Sequence, residues 1–446
     1  MTGLRATPLA DPAALRADRG AAVFWLGQAG FLIAQGGLRL VIDAYLSDSL
    51  AEKYRGTPFP HTRMVPPPVA PGGLRGIDWL LCTHGHTDHM DPGTIPALLA
   101  TNPRARVLAP RAERARALDR GVPEDRLVLI DAGETVDLGG VRCTATPSAH
   151  EAMTRTAAGF LYLGYVLSGG GVTLWHSGDT IPWEGQVEWL APFRVDLALL
   201  PVNGRDARRA ANGVPGNLTM AEAIALTDAI GARAMIAHHF GLFDFNTLDP
   251  AEGERLIATL PHGAEVTLAA PLTAFRIDPV DRPALSVLMV CKGNICRSPT
   301  AQGCLAAHLP GFRVDSAAIM DWNAGRPPHA DTQAVARARG LRIEALRARQ
   351  VAAEDFRRFD LILGMDDENM AALAAFRPAD ATAVLGQLGA YLEPGRIVPI
   401  ADPWGQERAA FEAVFDQIHT ATAGLARLIS GAQQEGEDRN GLRDQR

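Results

Sequence analysis

The stretch Leu285–Thr300 reads LSVLMVCKGNICRSPT. Leu285–Val290 is an apolar run of the kind that forms a strand buried on both faces. Cys291-Lys292-Gly293-Asn294-Ile295-Cys296-Arg297-Ser298 follows as a short polar loop, and Pro299–His308 has helical periodicity with proline at its start, where the missing N–H costs nothing. Such a strand–loop–helix aims successive backbone N–H groups and a helix N-terminus into one concavity, a geometry that suits a phosphate. Arg297 adds a planar fork for two phosphoryl oxygens. The same positive setting makes the Cys291 sulfur a nucleophile rather than an inert core thiol. Beyond this stretch, strands and helices alternate to about Leu428, which predicts a doubly wound parallel sheet.

The C-x5-R-S spacing resembles the low molecular weight protein tyrosine phosphatases, over about Leu285–Leu428. The resemblance implies that Cys291 is the nucleophile and Arg297 the phosphate-binding arginine. It assigns Asn294 to bracing the loop and Ser298 to supporting the thiolate, with Lys292, Gly293, Ile295 and Cys296 completing the phosphate loop. Ala401-Asp402-Pro403-Trp404 matches the family's Asp-Pro-aromatic motif and makes Asp402 the general acid. FDLILGMDDEN (Phe359–Asn369) also matches, with Asp366 positioned to support the loop. Cys296, five residues after Cys291, is a candidate partner for a protective disulfide or simply a small loop residue; Cys304 reads as helix packing. The sequence departs from the family at Asp315-Ser316-Ala317-Ala318, Trp322-Asn323 and His329-Ala330-Asp331. All three lie outside the loop and bear on the walls of the site. Arsenate reductases with this loop need further cysteines downstream, and none follows Cys304. Ile295, where phosphoarginine-selective relatives carry threonine, favours an aromatic ester. No cofactor is expected at this site.

The chain has 446 residues, enough for two to four domains at roughly 100–200 residues each. Apolar residues at 47% and charged residues at 21% exclude wholesale disorder. A net charge of −7 argues against a nucleic-acid or anionic-membrane partner. Five cysteines in so long a chain make no disulfide framework. There is no apolar leader in MTGLRATPLADPAALRADRG and no run of about 18 apolar residues, so a cytoplasmic protein is expected. Asp278–Ala284, DPVDRPA, reads as a linker. The expected domains are therefore 1–280 and 285–432, with 433–446 a charged, disordered tail.

A second cluster lies in the first domain. Strand-like runs occur at Ala22–Leu26, Gly30–Ala34 and Leu38–Ile42, and the apolar run Trp79–Thr83 opens into His84-Gly85-His86-Thr87-Asp88-His89. Three histidines and an aspartate within six residues suit borderline-hard divalent ions. His84 and His86 can converge on one ion, while Asp88 and His89 face a second, about 3.5–4 Å away. The motif resembles the His-x-His-x-Asp-His signature of the metallo-β-lactamase superfamily. WLGQAGFLI (Trp25–Ile33) and IDAYLSD (Ile42–Asp48) resemble its ascorbate-6-phosphate lactonase-like subgroup. The match, over about Val23–Pro271, implies an αββα sandwich. It also implies His150 as a ligand to the first metal, Asp179 as the bridging carboxylate and His239 as the last ligand, with His238 the competing candidate. His176 is expected to pack beside the site. Asp43 and Asp48 lie where strand ends could approach the metals and read equally as turn or capping residues, while His61 could reach substrate but reads first as a solvated loop histidine.

The expected protein is thus an α/β two-domain, bifunctional hydrolase. Its C-terminal domain would cleave phosphotyrosine-like monoesters, of phosphorylated protein or small molecules, through a phosphocysteine. Its N-terminal domain would use one or two divalent metals, zinc or manganese, to hydrolyse an ester or lactone of a small anionic substrate, with Asp88 as ligand and proton acceptor. The alternative is a phosphatase whose metal-binding domain serves as a regulatory or binding module. Oligomeric state has no signature in the sequence.

Overall fold

The computed structural model describes residues 3–433. They form two compact α/β units: residues 3–183 with Arg194–Val280, and Glu184–Phe193 with Asp281–Gln433. Of the tail expected at 433–446, residues 434–446 lie outside the described residues, and Gln433 closes the last helix, Arg408–Gln433. Among the described residues no helix is long and apolar enough to cross a membrane.

The first unit holds an eight-stranded and a seven-stranded sheet. In the eight-stranded sheet, Ala21–Gly27, Gly30–Gln35 and Leu38–Ile42 form an antiparallel meander, and Leu38–Ile42 continues in parallel through Trp79–Leu81, Arg106–Pro110 and Leu127–Ile130. In the other sheet, Val172–His176, Leu197–Pro201, Ala234–His238 and Glu265–Leu268 run parallel. Alternate residues of the first sheet explain its continuous apolar runs. Phe24, Leu26, Leu32, Val41 and Leu80 pack with Ile95, Leu98 and Leu99 of the helix Thr94–Thr101. Val23, Ile33, Leu40 and Leu81, on the opposite face, are equally buried. Hydrogen bonds join the two sheets face to face: the Gln35 amide donates to the carbonyls of Leu167, Gly169 and Val172, and the Tyr165 hydroxyl to Cys82 O at 2.8 Å.

The second unit has one all-parallel sheet in the order Arg313–Ala318, Ser286–Cys291, Leu361–Gly364, Val384–Gln387. In sequence order this is 2-1-3-4, so the chain reverses direction at the first strand, and Cys291 ends that strand. The following helix spans Arg297–His308 and starts two residues before the expected Pro299. Proline is tolerated there because the N–H groups of a first turn have no partner within the helix.

The expected first domain, 1–280, needs one correction. Glu184–Phe193 belongs with the second unit. Its short helix, Gln186–Leu190, supplies and takes hydrogen bonds that satisfy buried polar groups: Trp189 Nε1 donates to Ala390 O at 3.2 Å, and the Tyr391 hydroxyl to Glu188 O at 2.8 Å. Trp189→Ala is expected to destabilise this unit by about 3–5 kcal/mol, as aromatic truncation in a core does, measured by urea unfolding of the full chain.

Candidate functional site

In the first unit, the proposed ligands all lie just beyond the C-terminal ends of strands, where open α/β sheets place their sites. His84–His89 follow Trp79–Leu81, His150 follows Arg142–Pro147, Asp179 follows Val172–His176, and His239 follows Ala234–His238. Their donor atoms fall into three groups, each within 4.8 Å: His84, His86 and His150; His84, His89 and Asp179; and Asp88, His89 and His239. Asp179 faces both sides. Its Oδ2 lies 3.5 Å from His150 Nε2, and its Oδ1 lies 3.2 Å from His239 Nε2 and 3.4 Å from His89 Nε2. Gly178 makes this placement possible, because its φ of +61° and a Cβ that would stand 2.6 Å from Leu163 O exclude other residues.

The donor set fits divalent metal ions. His84 Nε2, His89 Nε2 and Asp179 Oδ1 are buried without a hydrogen-bond partner, and all three belong to one group. Burial, with His89 and His86 alongside, pushes the His84 imidazole well below the usual histidine range; burial alone leads in bringing His150 down to about 4. Both shifts favour the neutral imidazole, the form that ligates. His89 is the opposite case: burial lowers it, but Asp179, Asp43 and Asp88 together hold it well above its ordinary value.

Several neighbours were missed or underread in the sequence. Asp43 Oδ2 accepts from His89 Nδ1 at 2.7 Å and from Thr83 Oγ1 at 2.6 Å, and Thr83 Oγ1 in turn lies 3.0 Å from His84 Nδ1. Asp43 therefore fixes the tautomer and ring orientation of two candidate ligands instead of merely shaping a turn. Gln28 donates from Nε2 to Asp88 Oδ2 at 3.1 Å and stands 3.3 Å from His239 Nε2. Its only sequence signal was its place in WLGQAG. Tyr162 sets its ring 5.3–5.9 Å from the rings of His84, His86 and His150. Asp48 pairs with Arg63 at 3.0 Å, away from the groups above. His238 stacks on His176, whose Nε2 donates to Ala29 O, so neither joins the donor groups and His239 does.

His61 departs from the expected solvated loop residue. It is half-buried, stacked on Tyr54 at 4.4 Å and edge-on to Phe243 and Phe245, and burial lowers its basicity. The rings of its neighbours, Tyr54 seven residues before it and Phe243 and Phe245 distant in sequence, draw it in. With His86, Asp88, Asp179 and His239 it lines a cavity of 290 Å³ that also receives Lys53, Arg116 and Arg120. Asp43→Asn is expected to weaken metal retention by about 10–100-fold, read by titrating the full chain against a competing chelator.

In the second unit, Cys291 Sγ lies 3.1 Å from Ser298 Oγ. Asn294, at φ +52°, donates from Nδ2 to Ser298 Oγ and to Ser316 Oγ, each at 2.8 Å, and its Oδ1 accepts from Arg349 N. The serine hydroxyl accepts from Asn294 and has two acceptors for its own proton, the sulfur and Ala317 O at 3.3 Å. Arg297 is 2% exposed and held from two sides. Nη2 donates to Asp402 Oδ2 at 2.7 Å, while Nη1 donates to Asp366 and to Ile400 O. Burial works to lower the guanidinium's affinity for its proton, but Cys291 and then the two carboxylates together raise it. Trp404 N donates to the other oxygen of Asp402 at 3.2 Å. Cys291, Lys292, Gly293, Ile295, Trp322 and Asp402 share one cavity of 490 Å³.

The departures from the family pattern are accommodated locally. Asn323 donates to Gly293 O at 3.1 Å, and the His329 side chain caps the helix Ala330–Ala338 by accepting from Asp331 N. Cys296 is buried, which pushes its thiol up to about 12, and Cys304 packs inside its helix with a similarly raised thiol.

Comparison with known proteins matches each unit to a family. Residues 286–435 match the family "Low molecular weight phosphotyrosine protein phosphatase", and residues 38–240 match "Beta-lactamase superfamily domain". The low molecular weight protein-tyrosine-phosphatase YfkJ of Bacillus subtilis is 38% identical over 157 residues, covering 34% of this chain and 97% of that protein. The uncharacterized protein Rv0906 of Mycobacterium tuberculosis is 28% identical over 280 residues, covering 61% of this chain and 73% of its own length. Igni18, a metallo hydrolase from Ignicoccus hospitalis, superposes with a TM-score of 0.41 at 18% identity, over 56% of this chain and 95% of that one.

Proposed function

The chain belongs, through residues 286–435, to the low molecular weight phosphotyrosine protein phosphatases, and from this membership we propose that it is a bifunctional hydrolase with two separate chemistries. One is cleavage of aryl phosphomonoesters by Cys291. The other is metal-dependent hydrolysis of an ester or lactone of a small anionic substrate, of the kind the ascorbate-6-phosphate lactonase-like resemblance suggests. The observation that carries the first is the 3.1 Å approach of Ser298 Oγ to Cys291 Sγ beside a buried arginine fork.

In the phosphatase reaction the Cys291 sulfur attacks phosphorus, the S–P bond forms and the P–O(aryl) bond breaks. Asp402 gives its proton to the leaving phenolate, then takes one from the water that cleaves the S–P bond. Arg297 leaves its contact with Asp402 to grip two phosphoryl oxygens, which frees that carboxyl group for proton transfer. Ser298 donates to the sulfur while it carries negative charge, and Asn294 keeps the serine turned that way.

At the other centre, His84, His86 and His150 would hold one ion, His89 and His239 the second, with Asp179 between them and Asp88 beside the second. Divalent zinc or manganese, when bound, would polarise the scissile carbonyl and make a nucleophile of water near neutral pH. Asp88, oriented by the Gln28 amide, is placed to accept the proton. Arg116, Arg120 and Lys53 would attract an anionic substrate into the cavity.

A chelator separates the two. Treating the full chain with one is expected to abolish turnover of a lactone and ester panel while phenyl phosphate is hydrolysed at its former rate; readdition of zinc or manganese should restore the first. Ester hydrolysis that survives complete metal removal contradicts the metal-dependent assignment. A metal-replete chain that hydrolyses no ester or lactone favours the regulatory or binding module instead.

A further inference from the structure

Lysine is almost absent from this protein. All but two of its 43 basic residues are arginine, and the two lysines, Lys53 and Lys292, line the metal-site cavity and the Cys291 cavity respectively. A composition that replaces lysine with arginine everywhere else leaves these two where a compact, flexible point charge differs most from a planar fork. At Lys292 the surroundings show what that charge is for.

Lys292 directly follows the nucleophile and is the one cationic side chain among the described residues lining that cavity. Its ammonium pairs with Glu368 at 2.7 Å, and both side chains are open to solvent, at 40% and 67% exposure. A pair so exposed is weak and exchangeable. Asp402 is the acidic side chain among the described residues lining this cavity, and it shares Arg297 with Asp366, which is a quarter exposed. Arg297 is committed to the phosphoryl group, so Lys292 is the lining cation left to meet a carboxylate next to the substrate's phosphate.

Resting on the phosphatase reading above, we propose that Lys292 is a specificity-determining residue that selects phosphotyrosine flanked by an acidic residue, the substrate carboxylate taking the place of Glu368 on the ammonium. Glu368 is then a built-in competitor, present when no acidic substrate is bound. Lys292 lies beside the phosphate loop, so its loss could lower turnover generally. Only the ratio between two substrates reports selectivity.

The test compares kcat/KM of the full chain on two phosphotyrosine peptides that differ only in aspartate or asparagine at the two flanking positions. The native chain is expected to favour the aspartate peptide by up to about fivefold at low ionic strength, fading as salt is added. Glu368→Gln should raise that ratio by removing the competitor, Lys292→Met should bring it to unity or below, and Lys292→Arg should restore part of it. An unchanged ratio in Lys292→Met, with both rates falling together, would mean that the lysine serves the phosphate alone and overturns the inference. Equal turnover of both peptides by the native chain also overturns it and leaves the phosphatase reading standing. No turnover of either peptide overturns both.

Discussion

Cys291→Ser is expected to reduce phenyl phosphate turnover by about 10⁴-fold or more while the chain keeps its metal content and its ester hydrolysis. The size of the effect follows from what the sulfur does. The loop can still hold phosphate through its N–H groups and Arg297, but a serine hydroxyl at this place has no base to take its proton. Ser298 Oγ, 3.1 Å away, is a neutral hydroxyl that already accepts from Asn294 Nδ2 and is no base for a neighbouring alcohol. Phosphate binding should therefore persist in the variant although catalysis does not. Binding of inorganic phosphate, measured by calorimetry beside the rate, distinguishes loss of the nucleophile from collapse of the loop. A rate within tenfold of native would place the nucleophile elsewhere.

Asp179→Ala is the corresponding expectation at the other site. This carboxylate touches three candidate ligand histidines, with one oxygen toward His150 and the other toward His89 and His239. Its removal would take away a donor proposed to serve both ions, and it takes away a counter-charge beside His89. The loss in metal affinity should exceed the about 10–100-fold typical of an outer hydrogen-bond partner such as Asp43, and metal-dependent hydrolysis should fall with it. Phenyl phosphate turnover should remain. Metal stoichiometry after dialysis, with folding checked by urea unfolding, reads the result. Full occupancy in the variant would remove Asp179 from the ligand set.

The sequence was most legible where one local pattern demands one geometry. Leu38–Ile42 appears with the expected bounds, because an apolar run between glycine turns has few other solutions. The C-x5-R-S loop and the His84–His89 cluster are likewise local, whereas His150, Asp179, His239 and Asp402 were assigned through the family resemblances and not by spacing. What it could not show depends on contacts between distant segments. Asp43 and Thr83 meet across adjacent strands, and Gln28 reaches Asp88 over 60 residues. The aromatic enclosure of His61 is assembled from Tyr54, Phe243 and Phe245, which no window of sequence contains together. The assignment of Glu184–Phe193 to the second unit had no local signal either: Trp189 reads as any amphipathic helix residue until Ala390 O is seen at its indole nitrogen.

The most direct test of the account is to quench the full chain during phenyl phosphate turnover and map the phosphoryl group by peptide mass spectrometry. The account predicts an acid-trapped phosphate on Cys291, absent from Cys291→Ser and unaffected by prior removal of metal. Turnover with no phosphoryl group on Cys291, or turnover that ceases when the metal is stripped, would contradict it.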